Sequence, residues 1–212
     1  MSQIDMLINQ LQNFEATNPP DTNVLTAWKI MYASLEPFKR ALNNNDVVTI
    51  IHGSMQYNDP HHLDLDLAFV ARDDQQIRNG YIAIKLDKIQ DAFEGLNNWP
   101  SLGENQGHCH AEITPFSIEK IKKDAQAYES GARVFDGQND SADLFLAYIL
   151  SSKLVYPEQE EMYREMQNQA QGILRSSPIL RNAVTKVLEE TLKTRQERNM
   201  EKQVPRPGFE PG

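Results

Sequence analysis

The chain has 212 residues, of which 40% are apolar and 24% are charged, and these values are ordinary for a globular protein that can bury a core. Acidic residues outnumber basic ones 30 to 21, so the net charge is −9, which argues against a protein that tracks along a nucleic-acid backbone. A single cysteine excludes an internal disulfide, and no apolar run reaches the roughly 18 to 20 residues of a membrane span. Because the N-terminus also lacks a basic-then-apolar leader, we expect a cytoplasmic protein with no membrane partner.

Two amphipathic helices are predicted before the first strand. Apolar residues recur at helical spacing over 4–14, and the Asn-Pro-Pro-Asp segment at 18–21 ends this pattern. The second helix is predicted to begin near Asn23, a suitable N-cap. Pro37 marks a bend or a turn in it, and the Asn-rich segment 43–46 is predicted to be a loop.

The middle of the chain is predicted to alternate between strands and helices. Strands are predicted at 47–51, 63–70 and 108–116, and helices at 77–96 and 117–128. Gly80 leaves open whether the segment 77–96 is one helix or two.

The last third of the chain changes character and reads as helical throughout. Helices are predicted at 140–156, 158–174 and 179–198. The breaks between them are short and contain proline, which indicates antiparallel neighbours in a small bundle.

The predicted fold class is therefore α/β (α+β), with a small mixed β-sheet flanked by helices and followed by a helical bundle. The sheet and the N-terminal helices are assigned to residues 1–131, and the bundle to 132–200. The Pro/Gly-rich end of the chain, 201–212, is predicted to be disordered.

The stretch 53–66 carries the strongest functional signal. Gly53 and Ser54 close the first strand, and Asp64 and Asp66 alternate with leucines at the start of the second. The two aspartates share one strand face, roughly 6 to 7 Å apart, and a divalent cation such as Mg²⁺ relieves their repulsion. Glycine lets a phosphate approach the backbone, and the serine hydroxyl can donate to it. The pattern thus predicts a triphosphate beside its metal.

A two-metal site needs a third carboxylate from a neighbouring strand, and Glu112 is the best candidate. It shares one face of the third predicted strand with His108, His110 and Thr114. A carboxylate there would bind the second ion and accept the proton of an attacking hydroxyl.

This stretch resembles the signature of the nucleotidyltransferase superfamily related to DNA polymerase β. The resemblance is carried by the Gly-Ser pair, the gap of residues 55–63 and the Asp-x-Asp between apolar residues. The resemblance covers about 47–116. The helical last third resembles the layout of aminoglycoside adenylyltransferases and their relatives.

This resemblance implies a fold, a reaction and a set of site residues. Gly53 and Ser54 would hold the phosphates of a nucleoside triphosphate, with ATP favoured. Asp64 and Asp66 would bind Mg²⁺, two ions being expected in all, and a third acid on a later strand would complete the site. Glu112 stands where aspartate is more usual in the superfamily. A nucleoside monophosphate, AMP in the favoured case, would pass to a hydroxyl.

Two further sets of residues have competing interpretations. Lys153, in the first predicted bundle helix, is a candidate for a phosphate contact across the cleft, although a solvated or snorkelling lysine is favoured. His61, His62, His108 and His110 with Asp64 suggest zinc, but nothing fixes the convergence of three ligands. A place for His110 in the cleft beside Glu112 is preferred.

Three classes of function stay open. The first is an antibiotic-type adenylyltransferase with a small cationic acceptor, which an acidic cleft suits. The second is a protein- or RNA-modifying transferase of the toxin–antitoxin kind. The third is an inactive module that binds a nucleotide or a partner. A small molecule or a protein is favoured over nucleic acid as the acceptor, and no oligomeric state follows from the sequence.

Overall fold

A mixed β-sheet lies at the centre of the computed structural model, which describes residues 2–17, 19–20, 22–57, 65–84, 88, 111–137 and 141–203. The strands are β1 (Val48–His52), β2 (Leu65–Ala71), β3 (Ala111–Ser117) and β4 (Lys153–Leu154). They lie in the order β3-β2-β1-β4. β1 is antiparallel to both β2 and β4, whereas β2 and β3 are parallel.

Helices surround this sheet on both faces. They are α1 (Gln3–Thr17), α2 (Thr22–Asn44), α3 (Gly53–Gln56), α4 (Asp74–Ile84), α5 (Ile118–Glu129), α6 (Ala142–Ser151), α7 (Glu160–Ser176) and α8 (Pro178–Gln203), with a 3₁₀ helix at Pro157–Gln159. The mixed α/β class is therefore confirmed. None of the helices in the described part of the chain combines the length and apolar character that a bilayer span requires.

Helices α2 and α4 cover one face of the sheet. Leu65, Leu67 and Phe69 of β2 point to this face and are fully buried against α2 residues such as Met31 and Leu35. The alternation predicted for the second strand is thus present, because its leucines anchor it in this core. Asp66, between two of them, belongs to the opposite face.

The opposite face packs against α1 and α5–α8. Ile50, Val70 and Phe116 of the sheet share one apolar cluster with Leu11 of α1 and Met166 of α7. The cluster therefore contains residues from both sides of position 131, and the division of the chain there stays a prediction.

The helix predicted at 140–156 is wrong in its last part. Helix α6 ends at Ser151, Ser152 is extended, and the chain returns as β4 along the edge of β1. Pairing with the open backbone groups of β1 competes successfully with the helix, and Pro157 disfavours helical backbone in the residue before it.

Three further predictions concern the continuity and the ends of helices. α2 runs through Pro37 without ending, since Leu35 and Leu42 stay buried in one core on either side of it. α4 runs through Gly80, where a Cβ would lie 2.8 Å from Val47 Cγ2, so glycine permits close packing. α8 extends to Gln203, and residues 204–212 of the segment predicted to be disordered lie outside the described residues.

Candidate functional site

Three polar side chains form a row across the sheet. His52 of β1 pairs with Asp66 of β2, which pairs in turn with Glu112 of β3. Paired residues on neighbouring strands lie about 5 Å apart and project to the same face. His52 is buried, Asp66 is partly buried and Glu112 is exposed, so the row runs from the interior to solvent. The structure thus brings together the two predicted acids that it describes.

Gly53 follows His52 directly after β1 and contacts the Asp66 carboxylate. Its φ is +73°, a left-handed conformation that favours glycine, and a Cβ there would lie 2.0 Å from Asp66 Oδ2. The Asp66 carboxylate therefore rests directly on the Gly53 backbone. The glycine selected from the sequence for close approach is close to the acid as well.

A cavity of about 360 Å³ lies over the row. Its wall is formed by α3 and the residue after it (Gly53, Gln56, Tyr57), by α6 (Leu144, Ala147, Tyr148, Ser151), by α8 (Val187, Thr191, Arg195) and by the sheet (His52, Asp66, Glu112, Thr114). Gln56 Nε2 donates to the Ser151 carbonyl and so joins α3 to α6. The bundle thus closes a site whose floor is the sheet.

Tyr148 lines the cavity, and nearby carboxylates affect the pKa of its phenol. Its ring stacks on His52 with 3.9 Å between centroids and 14° between planes. Burial raises the pKa of the Tyr148 phenol. The negative charges of Asp66, Glu112 and Asp143 raise this pKa further, in that order. The Tyr148 phenol therefore lies in a negative field to which carboxylates of β2, β3 and α6 contribute.

His52 is neutral at pH 7. Burial lowers the pKa of its imidazole to about 4, although a hydrogen bond to the Leu67 backbone acts in the opposite direction. Its Nε2 is buried and has no hydrogen-bond partner among the described residues. His52 was missed by the sequence analysis because the residue before a glycine turn has no pattern that identifies its neighbours.

Arg195 was also missed, although α8 carries a signal for it. Val187, Thr191 and Arg195 recur every fourth residue, so they share one helix face, and all three line the cavity. The Arg195 guanidinium lies 4.5 Å from the centroid of the Tyr57 ring. The residue is only 9% exposed, which is unusual for arginine.

Lys153 is not part of this cavity. It lies in β4 opposite Ile51, whose side chain belongs to the α2 face of the sheet. Its Nζ lies 2.6 Å from Glu15 Oε1 and 5.1 Å from the centroid of the Trp28 ring. Lys153 therefore starts from the face of the sheet opposite Asp66 and Glu112, and its ammonium is paired with Glu15 of α1.

Several predicted ligands fall outside the described residues. They are Asp64, His61, His62, His108, His110 and the side chain of Ser54. Within the residues that are described, no group of three or more His, Cys, Asp or Glu side chains is arranged to hold a metal. Asp66 and Glu112 nevertheless offer carboxylate oxygens from paired positions on adjacent strands, which are the donors that Mg²⁺ prefers.

Comparison with known proteins finds no family model, no curated protein and no solved structure that matches this chain.

Proposed function

We propose that this chain is a nucleotidyltransferase that moves a nucleoside monophosphate, AMP from ATP in the favoured case, to a hydroxyl of a small molecule or a protein. The observation that carries the proposal is the pairing of Asp66 with Glu112, with the Asp66 carboxylate resting on Gly53. The cavity over this pair, about 360 Å³, lies in the range of small-molecule sites.

Each residue has a definite role in the proposed reaction. Asp66 and Glu112, with Asp64 from the sequence pattern, would hold Mg²⁺, two ions being expected. Bound Mg²⁺ supplies charge neutralisation along the triphosphate. Gly53 and Ser54 would hold phosphate oxygens by close backbone approach and a hydroxyl.

The proposed transfer forms one bond, breaks another and releases one proton, which Glu112 at the exposed end of the row accepts. The acceptor oxygen bonds to the α-phosphorus as the bond from that phosphorus to the bridging oxygen of the β-phosphate breaks, and pyrophosphate leaves. The acceptor proton passes to Glu112, whose side chain is open to solvent and can release it again.

The proposal is tested by incubating the protein with Mg²⁺, α-labelled nucleoside triphosphates and a panel of hydroxyl acceptors. We expect Asp66→Asn and Glu112→Gln to lower transfer at least about a hundredfold, as loss of a metal ligand or base does. Glu161→Gln, which removes an exposed carboxylate on α7, is the matched control and should keep full activity. Transfer that survives in Asp66→Asn would end the proposal, and Mg²⁺-dependent nucleotide binding without transfer would favour the binding module.

A further inference from the structure

The cavity contains one cationic side chain among the described residues that line it, and that side chain is Arg195. In a protein with a net charge of −9, this guanidinium lines the same cavity as two carboxylates, Asp66 and Glu112. The positive and negative groups come from different elements, α8 and the sheet. They can therefore contact different parts of one ligand.

Arg195 is held in place by an aromatic ring. The guanidinium lies over Tyr57, and Tyr57 directly follows helix α3, which begins at Gly53. Stacking of this kind fixes the plane of the guanidinium, and its N–H groups point along that plane. Burial raises the pKa of Tyr57 to about 12, whereas the charge of Arg195 acts to lower it.

Burial also strengthens what the guanidinium can bind. A cation that is 9% exposed interacts with an anion through less water than a surface cation does. The fork of arginine donors matches phosphate oxygens in pairs, which a lysine ammonium cannot do. Lys153, the cation suggested by the sequence, lacks both properties, because it is a lysine and its side chain is 43% exposed.

We propose that Arg195 is the residue that binds the polyphosphate of the donor nucleotide, and that α8 thereby contributes directly to the donor site. This inference rests on the proposed function, since it assumes that the cavity takes a nucleoside triphosphate. It assigns the anionic end of the ligand to the Tyr57 side of the cavity and the metal to the Asp66–Glu112 side.

The test uses inorganic tripolyphosphate with Mg²⁺, titrated into the full-length protein by calorimetry. Arg195→Gln should bind it about tenfold more weakly or worse, the loss expected when charge-assisted hydrogen bonds to phosphate are removed. Lys193→Gln is the matched control, because it removes the same charge from a 74% exposed side chain two residues away on α8. It should bind like the unmodified protein.

A second variant keeps the test valid if Arg195→Gln does not fold. Arg195→Lys retains the charge but loses the paired donors, so we expect an intermediate loss of about threefold. Unchanged affinity in both variants, no binding by the unmodified protein, or a loss confined to Lys153→Gln would overturn the inference. Failure of nucleotidyl transfer alone would leave Arg195-dependent tripolyphosphate binding intact, so the two proposals fail separately.

Discussion

One methyl group at position 53 would meet the Asp66 carboxylate. In Gly53→Ala the new Cβ would lie 2.0 Å from Asp66 Oδ2, and alanine would also be strained at φ +73°. We expect a loss of unfolding free energy well above the roughly 1 to 2 kcal/mol that left-handed backbone costs. Gly131→Ala isolates that backbone cost, since φ is +72° there and nothing lies within 4 Å of the added Cβ. Urea unfolding of the two variants measures the difference, and equal losses would contradict the close contact.

The buried imidazole of His52 makes stability depend on pH. Its pKa is about 4 in the folded protein and 6.5 when exposed, so between these values the unfolded chain binds the proton and the folded chain does not. Its contribution to stability is complete above pH 6.5 and is lost as the pH falls towards 4. The pKa difference corresponds to a loss of about 3 kcal/mol.

His52→Phe keeps an aromatic ring on Tyr148 and removes the titration. We expect the unmodified protein to lose about 3 kcal/mol more than this variant between pH 7 and pH 4. Comparing the two proteins cancels the titration of the carboxylates that they share. Denaturant unfolding across this range measures the loss, and parallel stability curves would show that His52 is not the group responsible.

At the scale of elements, the 3₁₀ helix completes the edge of the sheet. β4 pairs with β1 over two residues only, and beyond it the side chain of Gln159 takes over. Its Oε1 accepts from Thr49 N at 2.9 Å, and its Nε2 donates to the Val47 carbonyl at 2.8 Å and to Asn43 Oδ1 at 2.6 Å. The buried side chain of Gln159 thus makes the hydrogen bonds to the sheet edge that a further strand residue would make.

Replacing Gln159 by leucine should be costly for this reason. The volume is nearly kept, but buried backbone groups of Thr49 and Val47 lose their partners, so we expect a loss of roughly 2 to 4 kcal/mol in unfolding free energy. Gln167→Leu is the control, since the hydrogen bond from Gln167 Nε2 to the Ile149 carbonyl is longer, at 3.2 Å, and lies in the bundle instead of at the sheet edge. Similar losses in both variants, measured by urea unfolding, would count against the edge role of Gln159.

Regular elements explain which parts of the site could be predicted from the sequence. Strand alternation places Asp66 on the face opposite Leu65. Glu112 becomes its neighbour because β3 pairs directly with β2. The partners from the bundle could not be found this way. β4 is too short to show a pattern, so Lys153 was assigned to a helix, and periodicity in α8 does not reveal which structure its Arg195 face meets.

At the scale of the whole molecule, the sheet and the bundle share a core. Met166 of α7 is fully buried in the cluster that contains Ile50 and Val70 of the sheet, and Leu11 of α1 joins the same cluster. The first helix of the chain therefore packs with the last ones. Because the candidate site lies between the sheet and α8, its geometry depends on this shared core.

A cavity in the bundle should consequently destabilise the sheet. Met166→Ala is expected to cost about 2 to 5 kcal/mol, which lowers the urea midpoint by about 1 to 2 M. Trp28 lies in the other core, beneath the opposite face of the sheet, and its fluorescence reports that layer once Trp99 is replaced by phenylalanine. We expect this fluorescence and the far-ultraviolet circular dichroism to shift together, because one cooperative unit unfolds as a whole.

The control for this prediction is Met200→Ala, which shortens a side chain that is 61% exposed and should leave the midpoint unchanged. Two separated transitions, with the Trp28 signal unmoved by Met166→Ala, would show that the bundle unfolds on its own. Coincident transitions would instead mean that the Asp66–Glu112 row and Arg195 are held in one cooperative structure. A ligand that bridges them should then raise both midpoints equally, since it binds the folded state alone.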